Sequence, residues 1–214
     1  MQEFDALLSV AETLLWPGGC PWDQKQTFAT LQPYVLEEAH EVIEAVDHND
    51  DDKIAEELGD LLYTVVFFSK VAEKEGRFSL KEIIGAIKEK LVRRHPHVFG
   101  AVKVTGVDEV MRNWEKIKKE EKSAEKRESA LDGLPPTLPT LIKAQKIVKK
   151  MRRVGFPALK ETEAPITESE AAVALWELVA RCDQAEIDLE SALRKNLKKK
   201  EEEFRSWEAE TGQK

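Results

Sequence analysis

The chain has 214 residues, room for one or two domains, and its 42% apolar content lies far from the disordered class. A formal net charge of −8 argues against a nucleic-acid binder. The two cysteines, Cys20 and Cys182, are too few for a disulfide framework. The longest apolar run, 61–69, is about half the ~18 residues of a membrane span. The acidic, amphipathic start is unlike a secretory signal, so a cytoplasmic chain with reduced thiols is expected.

Apolar positions at helical spacing predict a first helix over 4–15, stopped by Trp16-Pro17-Gly18-Gly19. A second is predicted over 35–46, with Val35, Leu36, Ala39, Val42, Ile43 and Val46 on one stripe. His48 to Asp51 reads as a polar turn, with Asp50 or Asp51 as cap of a third helix over 52–75. The centre of that helix, 61–68, is apolar on nearly every side, which predicts neighbours all round and therefore a second subunit. Gly76 ends it, Ser79 caps a fourth helix over 80–94, and His95-Pro96-His97 stops that one. Asp108 caps a charged helix running to about Arg127. A Pro-rich joint follows at 129–140, then helices over 141–154, 169–183 and 187–207. No period-2 alternation stands out, so the fold class is an all-α helical bundle. The domains read as 1–128, a linker at 129–140, and a second helical region at 141–214.

The second and third helices carry the chemistry. Glu38 and Glu41 lie three apart on one helix, and Glu57 and Asp60 three apart on the next, so each pair shares a face. The turn is centred near Asn49-Asp50, and at ~1.5 Å rise per residue the two pairs stand level across the hairpin. Four carboxylates on one small volume repel unless a cation joins them. An oxygen-only set selects a hard ion, Mg²⁺ or Mn²⁺, and Mg²⁺ on a few carboxylates is a usual holder of substrate phosphates. Gly59, between two of the acids, marks a close approach of another backbone.

Glu37-Glu38-x-x-Glu41 followed by Glu57-x-x-Asp60 resembles the metal-binding pattern of the all-α nucleoside triphosphate pyrophosphohydrolases. The MazG branch is indicated by Gly19-Cys20-Pro21-Trp22-Asp23 with Gln26-Thr27, by Glu57-Leu58-Gly59-Asp60-Leu61-Leu62, and by Arg93-Arg94-His95-Pro96-His97-Val98-Phe99. The resemblance covers roughly residues 7–122. It implies Mg²⁺-dependent hydrolysis of a nucleoside triphosphate to monophosphate and pyrophosphate, by a homodimer or a dimer of dimers. Carried over by position, Glu38, Glu41, Glu57 and Asp60 are the metal ligands, and Glu37 and Glu38 are the catalytic carboxylates, with Glu37 orienting the attacking water. Lys90 and Arg94, with Trp114 and Lys118 on the following helix, are the expected substrate contacts. Trp22 is read either as a stacking surface for the base or as a lid on the core.

The family's longer members carry two copies of the helical unit. Ala144-Gln145-Lys146-Ile147 and Val154-Gly155-Phe156 resemble the second copy. Its acidic hairpin is missing: 155–167 reads as a loop, and Ser169-Glu170-Ala171-Ala172 stands where the Glu-x-x-Asp belongs. The second region is therefore expected to be non-catalytic. Two other readings compete with the enzyme. One is an inactive binding or regulatory module of the same descent. The other is a di-iron carboxylate bundle, disfavoured because Glu37-x-x-His40 occurs without the second Glu-x-x-His such a site uses.

Overall fold

Local signals set most of the helix ends in the computed structural model, which describes residues 2–123, 128–159 and 164–212. α1 spans Gln2–Leu15, and a 3₁₀ turn follows at Asp23–Lys25. α2 spans Phe28–Asp47, α3 Asp51–Lys74, α4 Leu80–Arg94 and α5 Pro96–Phe99. α6 spans Val107–Ser123, α7 Thr140–Arg153, α8 Glu168–Gln184 and α9 Leu189–Thr211. There is no strand among the described residues, in keeping with the all-α expectation. The expected end of the sixth helix at Arg127 lies outside the described residues.

Asp50 caps α3 by accepting from the Lys53 N–H at 3.1 Å, and Ser79 caps α4 in a reciprocal box with Glu82. Gly76, at φ +67°, ends α3 in the left-handed conformation that glycine adopts without strain. α2 starts seven residues earlier than the periodicity indicated, at Phe28 rather than Val35. Thr27 and Thr30 cap that start reciprocally, and the helix continues through Pro33 despite the lost N–H. The residues after α4 also continue as a short helix with Pro96 in its first turn, where only a stop was expected.

The chain divides into two compact units, 1–117 and 118–214. The division falls within α6, ahead of the Pro-rich joint, because Leu131 and Leu134 of that joint pack into the second unit's core. In the first unit α2 and α3 form an antiparallel hairpin, and α1 packs on α3. Its core holds Ala11, Leu15, Leu31, Val66, Phe67, Val71 and Leu80. Lys70 is buried with them, its ammonium paired with Glu12 at 2.6 Å and Glu73 at 2.9 Å. The second unit's core is Leu131, Ile147, Met151, Phe156, Leu197 and Phe204.

Most of the α2 stripe is turned away from the first unit's core. Val35, Leu36, Ile43 and Val46 are exposed, Leu36 by 65%, while Leu31 and Ala45 are the buried positions. On α3, Leu58, Leu62 and Val65 are exposed as well. The hairpin thus has two apolar faces, and only one of them meets its own chain. Gly59 also departs from expectation: among the described residues a Cβ built there meets nothing within 4 Å, so no backbone approaches it.

Candidate metal centre and adjoining cleft

The α2–α3 hairpin brings three of the predicted carboxylates together. One oxygen each from Glu38, Glu41 and Glu57 lies within 4.8 Å of the others. Glu57 is only 4% exposed, whereas Glu38 is half-buried and Glu41 exposed. Asp60 is exposed and outside this trio, but it lines the same cleft as Glu38. Glu37 is exposed on the neighbouring position of α2.

The electrostatics follow from that crowding. Burial pushes the Glu38 carboxyl above the ordinary glutamate range, and repulsion from Asp60, Glu41, Glu57 and Glu37 adds to it. Glu41 is raised by desolvation and by Glu57 and Glu37, with a hydrogen bond between the Glu41 and Glu57 side chains contributing. One cation partly answers them. Lys53 pairs with Glu57 at 2.7 Å and with Glu56 at 3.0 Å, and hydrogen bonds to these two carboxylates hold its ammonium firmly protonated. The sequence reading missed Lys53, although its i, i+4 relation to Glu57 was available. A single ammonium does not balance Glu38, Glu41, Glu57 and nearby Asp60. Converging oxygens, one of them on a buried side chain, fit a hard divalent cation. His40 is not among the grouped side chains, so the di-iron pattern finds no support here.

A cleft of about 150 Å³ continues from the acids along the hairpin groove. Going away from the turn, Tyr34 lies one helical turn beyond Glu38 on α2, and Tyr63 and Thr64 one turn beyond Asp60 on α3; Leu31 and Phe67 come next. Trp22 and Asp23 complete the lining from the loop before α2. They are held there by Gly19, whose missing side chain lets the loop lie on α1. A Cβ at Gly19 would sit 2.1 Å from the Thr13 carbonyl oxygen, and Cys20 N–H donates to the Leu14 carbonyl at 2.9 Å. Trp22 remains 55% exposed and meets Tyr34 edge-on at 6.1 Å between centroids. It is therefore a rim residue rather than a lid on the core. Asp23, Tyr34 and Tyr63 went unnoticed in the sequence, because only the folded loop brings them together.

The predicted basic contacts lie on the helices after the hairpin. Lys90 is exposed on α4, and Arg94, one turn on, places its guanidinium 5.3 Å from the Trp114 ring centroid. Lys118 follows Trp114 by one turn of α6, at the start of the second unit.

Residues 26–99, which include the whole hairpin and α4, match the family profile described as the MazG nucleotide pyrophosphohydrolase domain. A nucleoside triphosphate pyrophosphohydrolase/pyrophosphatase MazG of Thermotoga maritima is 38% identical over 222 residues, covering 96% of this chain and 85% of the relative. The chain belongs to the MazG family. A nucleoside triphosphate pyrophosphohydrolase of Escherichia coli K12 is 48% identical over 157 residues, 73% of this chain. That match spans only 60% of the Escherichia coli protein's own length. A crystal structure of a MazG-related protein from Thermotoga maritima shares 33% identity, covering 54% of this chain and 98% of that one, with a TM-score of 0.48. The profile match takes in Glu37, Glu38, Glu41, Glu57, Asp60, Lys90 and Arg94, and leaves out Trp22, Trp114 and Lys118.

Proposed function

We propose that this MazG-family chain is a divalent-cation-dependent nucleoside triphosphate pyrophosphohydrolase, with Mg²⁺ as its ion and Mn²⁺ as a substitute. The observation that carries the reading is the set of carboxylate oxygens from Glu38, Glu41 and Glu57 within 4.8 Å of one another beside an aromatic cleft. These three residues and Asp60 would hold the ion. When bound, the ion neutralises phosphate charge and lowers the pKa of water.

The remaining roles belong to the chain's own side chains. Glu37, beside Glu38, accepts a hydrogen bond from the attacking water and then its proton. The water oxygen bonds to the α-phosphorus, the bond to the bridging oxygen breaks, and pyrophosphate leaves. Lys53, Lys90, Arg94 and Lys118 supply positive charge for the phosphates, and Trp22 and Trp114 supply ring surface. The second unit, which lacks the acidic hairpin, serves packing or assembly. The domain reading of 1–128, 129–140 and 141–214 stands as part of this proposal.

A second copy of the chain covers the outer face of the hairpin, as a homodimer or a dimer of dimers. What supports this is the exposed row of Leu36, Ile43, Val46, Leu58, Leu62 and Val65, larger than scattered surface residues explain. Among the described residues no helix is long and apolar enough to cross a membrane. We place the protein in the cytoplasm, with nucleoside triphosphates as its substrates and no nucleic-acid partner.

The test is release of pyrophosphate and monophosphate from a panel of ribo- and deoxyribonucleoside triphosphates with Mg²⁺ or Mn²⁺. Glu38→Gln is expected to lower kcat/KM by more than about 100-fold with helix content unchanged. Absence of pyrophosphate from every triphosphate would overturn the enzyme reading and leave an inactive binding module.

A further inference from the structure

The second unit carries an apolar helix that its own chain leaves uncovered. Between Ala171 and Cys182 the only charged residues of α8 are Glu177 and Arg181, and every other position is Ala, Val, Leu, Trp or Cys. A helix apolar on most of its circumference is normally surrounded by other elements. Here every residue of α8 except Cys182 is exposed, Trp176 by 74%. Among the described residues α8 packs closely on no other helix, although α7 and α9 pack on each other. Ile166 before it and Ile187 after it are exposed as well. Single exposed apolar residues are ordinary, but a continuous patch of roughly several hundred Å² marks an interaction surface. A stable interface takes about 800 Å² per partner, so this helix with its two flanking isoleucines supplies a large part of one.

Local hydrogen bonds hold α8 in this uncovered position. Thr167 and Glu170 cap its start reciprocally. At its end, the Ala185 N–H donates to the Arg181 carbonyl at 3.2 Å and the Ile187 N–H to the Cys182 carbonyl at 2.9 Å. Asp188 then caps α9 by accepting from the Ser191 N–H at 3.0 Å. α9 is anchored in turn, because Leu197 and Phe204 share a core with Ile147 and Met151 of α7. Folding α8 back over its own unit would break the turn that joins it to α9. The cover has to come from outside the chain.

We propose that α8 pairs with α8 of a second copy of this chain, antiparallel and centred on Trp176. Ala172, Val173, Trp176, Val179 and Ala180 share one side at helical spacing. With Trp176 on the two-fold axis, Val173 of each copy lies opposite Val179 of the other, and Ala172 opposite Ala180, where small side chains let the helices approach. The contact is the same patch on both copies and closes on itself. Charge sets the direction. Glu170, Glu177 and Arg181 form a polar stripe beside the apolar side. In an antiparallel pair like flanks adjoin, so each Arg181 stands beside the other copy's Glu170. A parallel pair would set that stripe against the apolar flank of Leu175 and Val179 instead. Among the described residues Arg181 has no ion pair of its own, and Glu170 spends only one carboxylate oxygen on Thr167. Antiparallel helices also oppose their dipoles.

This contact lies in the second unit and rests neither on the enzyme reading nor on the hairpin row of the first unit. Leu62→Asp in the full chain puts a charge into that row and leaves α8 as the remaining contact. By analytical ultracentrifugation this protein is expected to be a dimer. Adding Trp176→Asp is expected to raise its dissociation constant at least about 30-fold, with helix content unchanged because Trp176 is exposed in the single chain. Mild oxidation tests the register with Leu62 intact, the parent with Cys20 and Cys182 serving as blank. Trp176→Cys, on the axis, is expected to give a covalent dimer on a non-reducing gel, and Leu178→Cys, exposed on the opposite side of the helix, is expected to give none. Val173→Cys is expected to join Val179→Cys when the two proteins are mixed, but not itself, since like residues there stand about 9 Å apart along the axis. A Leu62→Asp chain that is monomeric at every concentration, or cross-linking of Trp176→Cys no better than that of Leu178→Cys, would overturn the proposal and leave α8 to a different protein. Self-joining of Val173→Cys would overturn the antiparallel arrangement.

Discussion

Replacing Phe204 by alanine should strongly destabilise the second unit and leave the hydrolysis proposed for the first in place. Phe204 is 0% exposed and lies at the centre of an aromatic cluster, with Phe156 at 5.3 Å and Trp207 at 5.6 Å between centroids. Phenylalanine-to-alanine changes at such sites cost about 3–5 kcal/mol through lost transfer and a residual cavity. A unit of this size carries roughly 5–10 kcal/mol in all, so about half of its stability goes. At roughly 4–8 °C per kcal/mol, its melting point should fall by about 20 °C. Calorimetric scans of the two proteins, with pyrophosphate release assayed between the lowered transition and the unmoved one, give the comparison. The expected outcome is one transition moved down, the other in place, and kcat/KM within about twofold of the parent. A loss of activity as deep as that of Glu38→Gln, measured while the first unit is still folded, would show that the second unit contributes to the chemistry. The reasoning from its missing acids would then fail.

Three further outcomes are expected. Glu57→Gln should abolish stabilisation by Mn²⁺ or Mg²⁺, which for the parent at 100-fold excess over Kd amounts to about 2.7 kcal/mol; thermal melts with and without metal decide it, and an undiminished metal shift would remove Glu57 from the ligand set. For Asp132, burial pushes the carboxyl up, but hydrogen bonds from the Ser129 N–H, the Arg205 guanidinium at 2.8 Å and the Glu128 N–H outweigh it and hold the group below its usual range. A depressed folded pKa gives stability that is present above the unfolded value of about 3.9 and lost as pH falls through the folded one. Melting points between about pH 6 and pH 3 should therefore drop more steeply in the parent than in Asp132→Asn, which lacks the titrating group. Asp50→Ala removes the α3 cap and should lower stability by about 1 kcal/mol, read from the urea midpoint; no change would mean the hairpin turn is held by other contacts.

Helix ends were legible in the sequence wherever a cap or a breaker acts locally, as at Asp50, Gly76 and Ser79. The start of α2 was not, because Pro33 reads as a helix boundary while the capping pair Thr27 and Thr30 lies further upstream. The apolar stripe of α2 was legible as a stripe, while the side it faces was not. Periodicity reports that Leu36, Ile43 and Val46 share a face, but not whether that face meets the chain's own core. The acidic pairs were legible because their spacing is local and one short turn joins the two helices. Asp60 departs from the expected foursome by standing outside the close trio, a matter of side-chain reach that spacing does not encode. The cleft was illegible for a different reason. Trp22 and Asp23 come from a separate loop, and their place beside Tyr34 and Tyr63 depends on Gly19 lying against two carbonyls of α1.

Three buried carboxylates show how structural and functional acids differ in this chain. Glu208, 2% exposed, accepts from the Ser129 hydroxyl and from the Ala130 N–H at 2.8 Å, and so ties α9 to the segment before α7. Its needs are met within the fold, and it offers nothing to a ligand. Glu57 has Lys53 on one side and two like charges on the other, an arrangement that a protein gains nothing from unless a further cation joins it. Asp23, 9% exposed, has no donor among the described residues, and its oxygens keep contact with water. Burying a charge without a partner costs several kcal/mol, and Glu208 and Glu57 each meet a donor of this chain. Glu57 and Asp23 belong to the first unit, while Glu208 lies in the second. Unmet electrostatic demand, more than acidity or burial alone, marks the acidic hairpin as the proposed place for a metal ion.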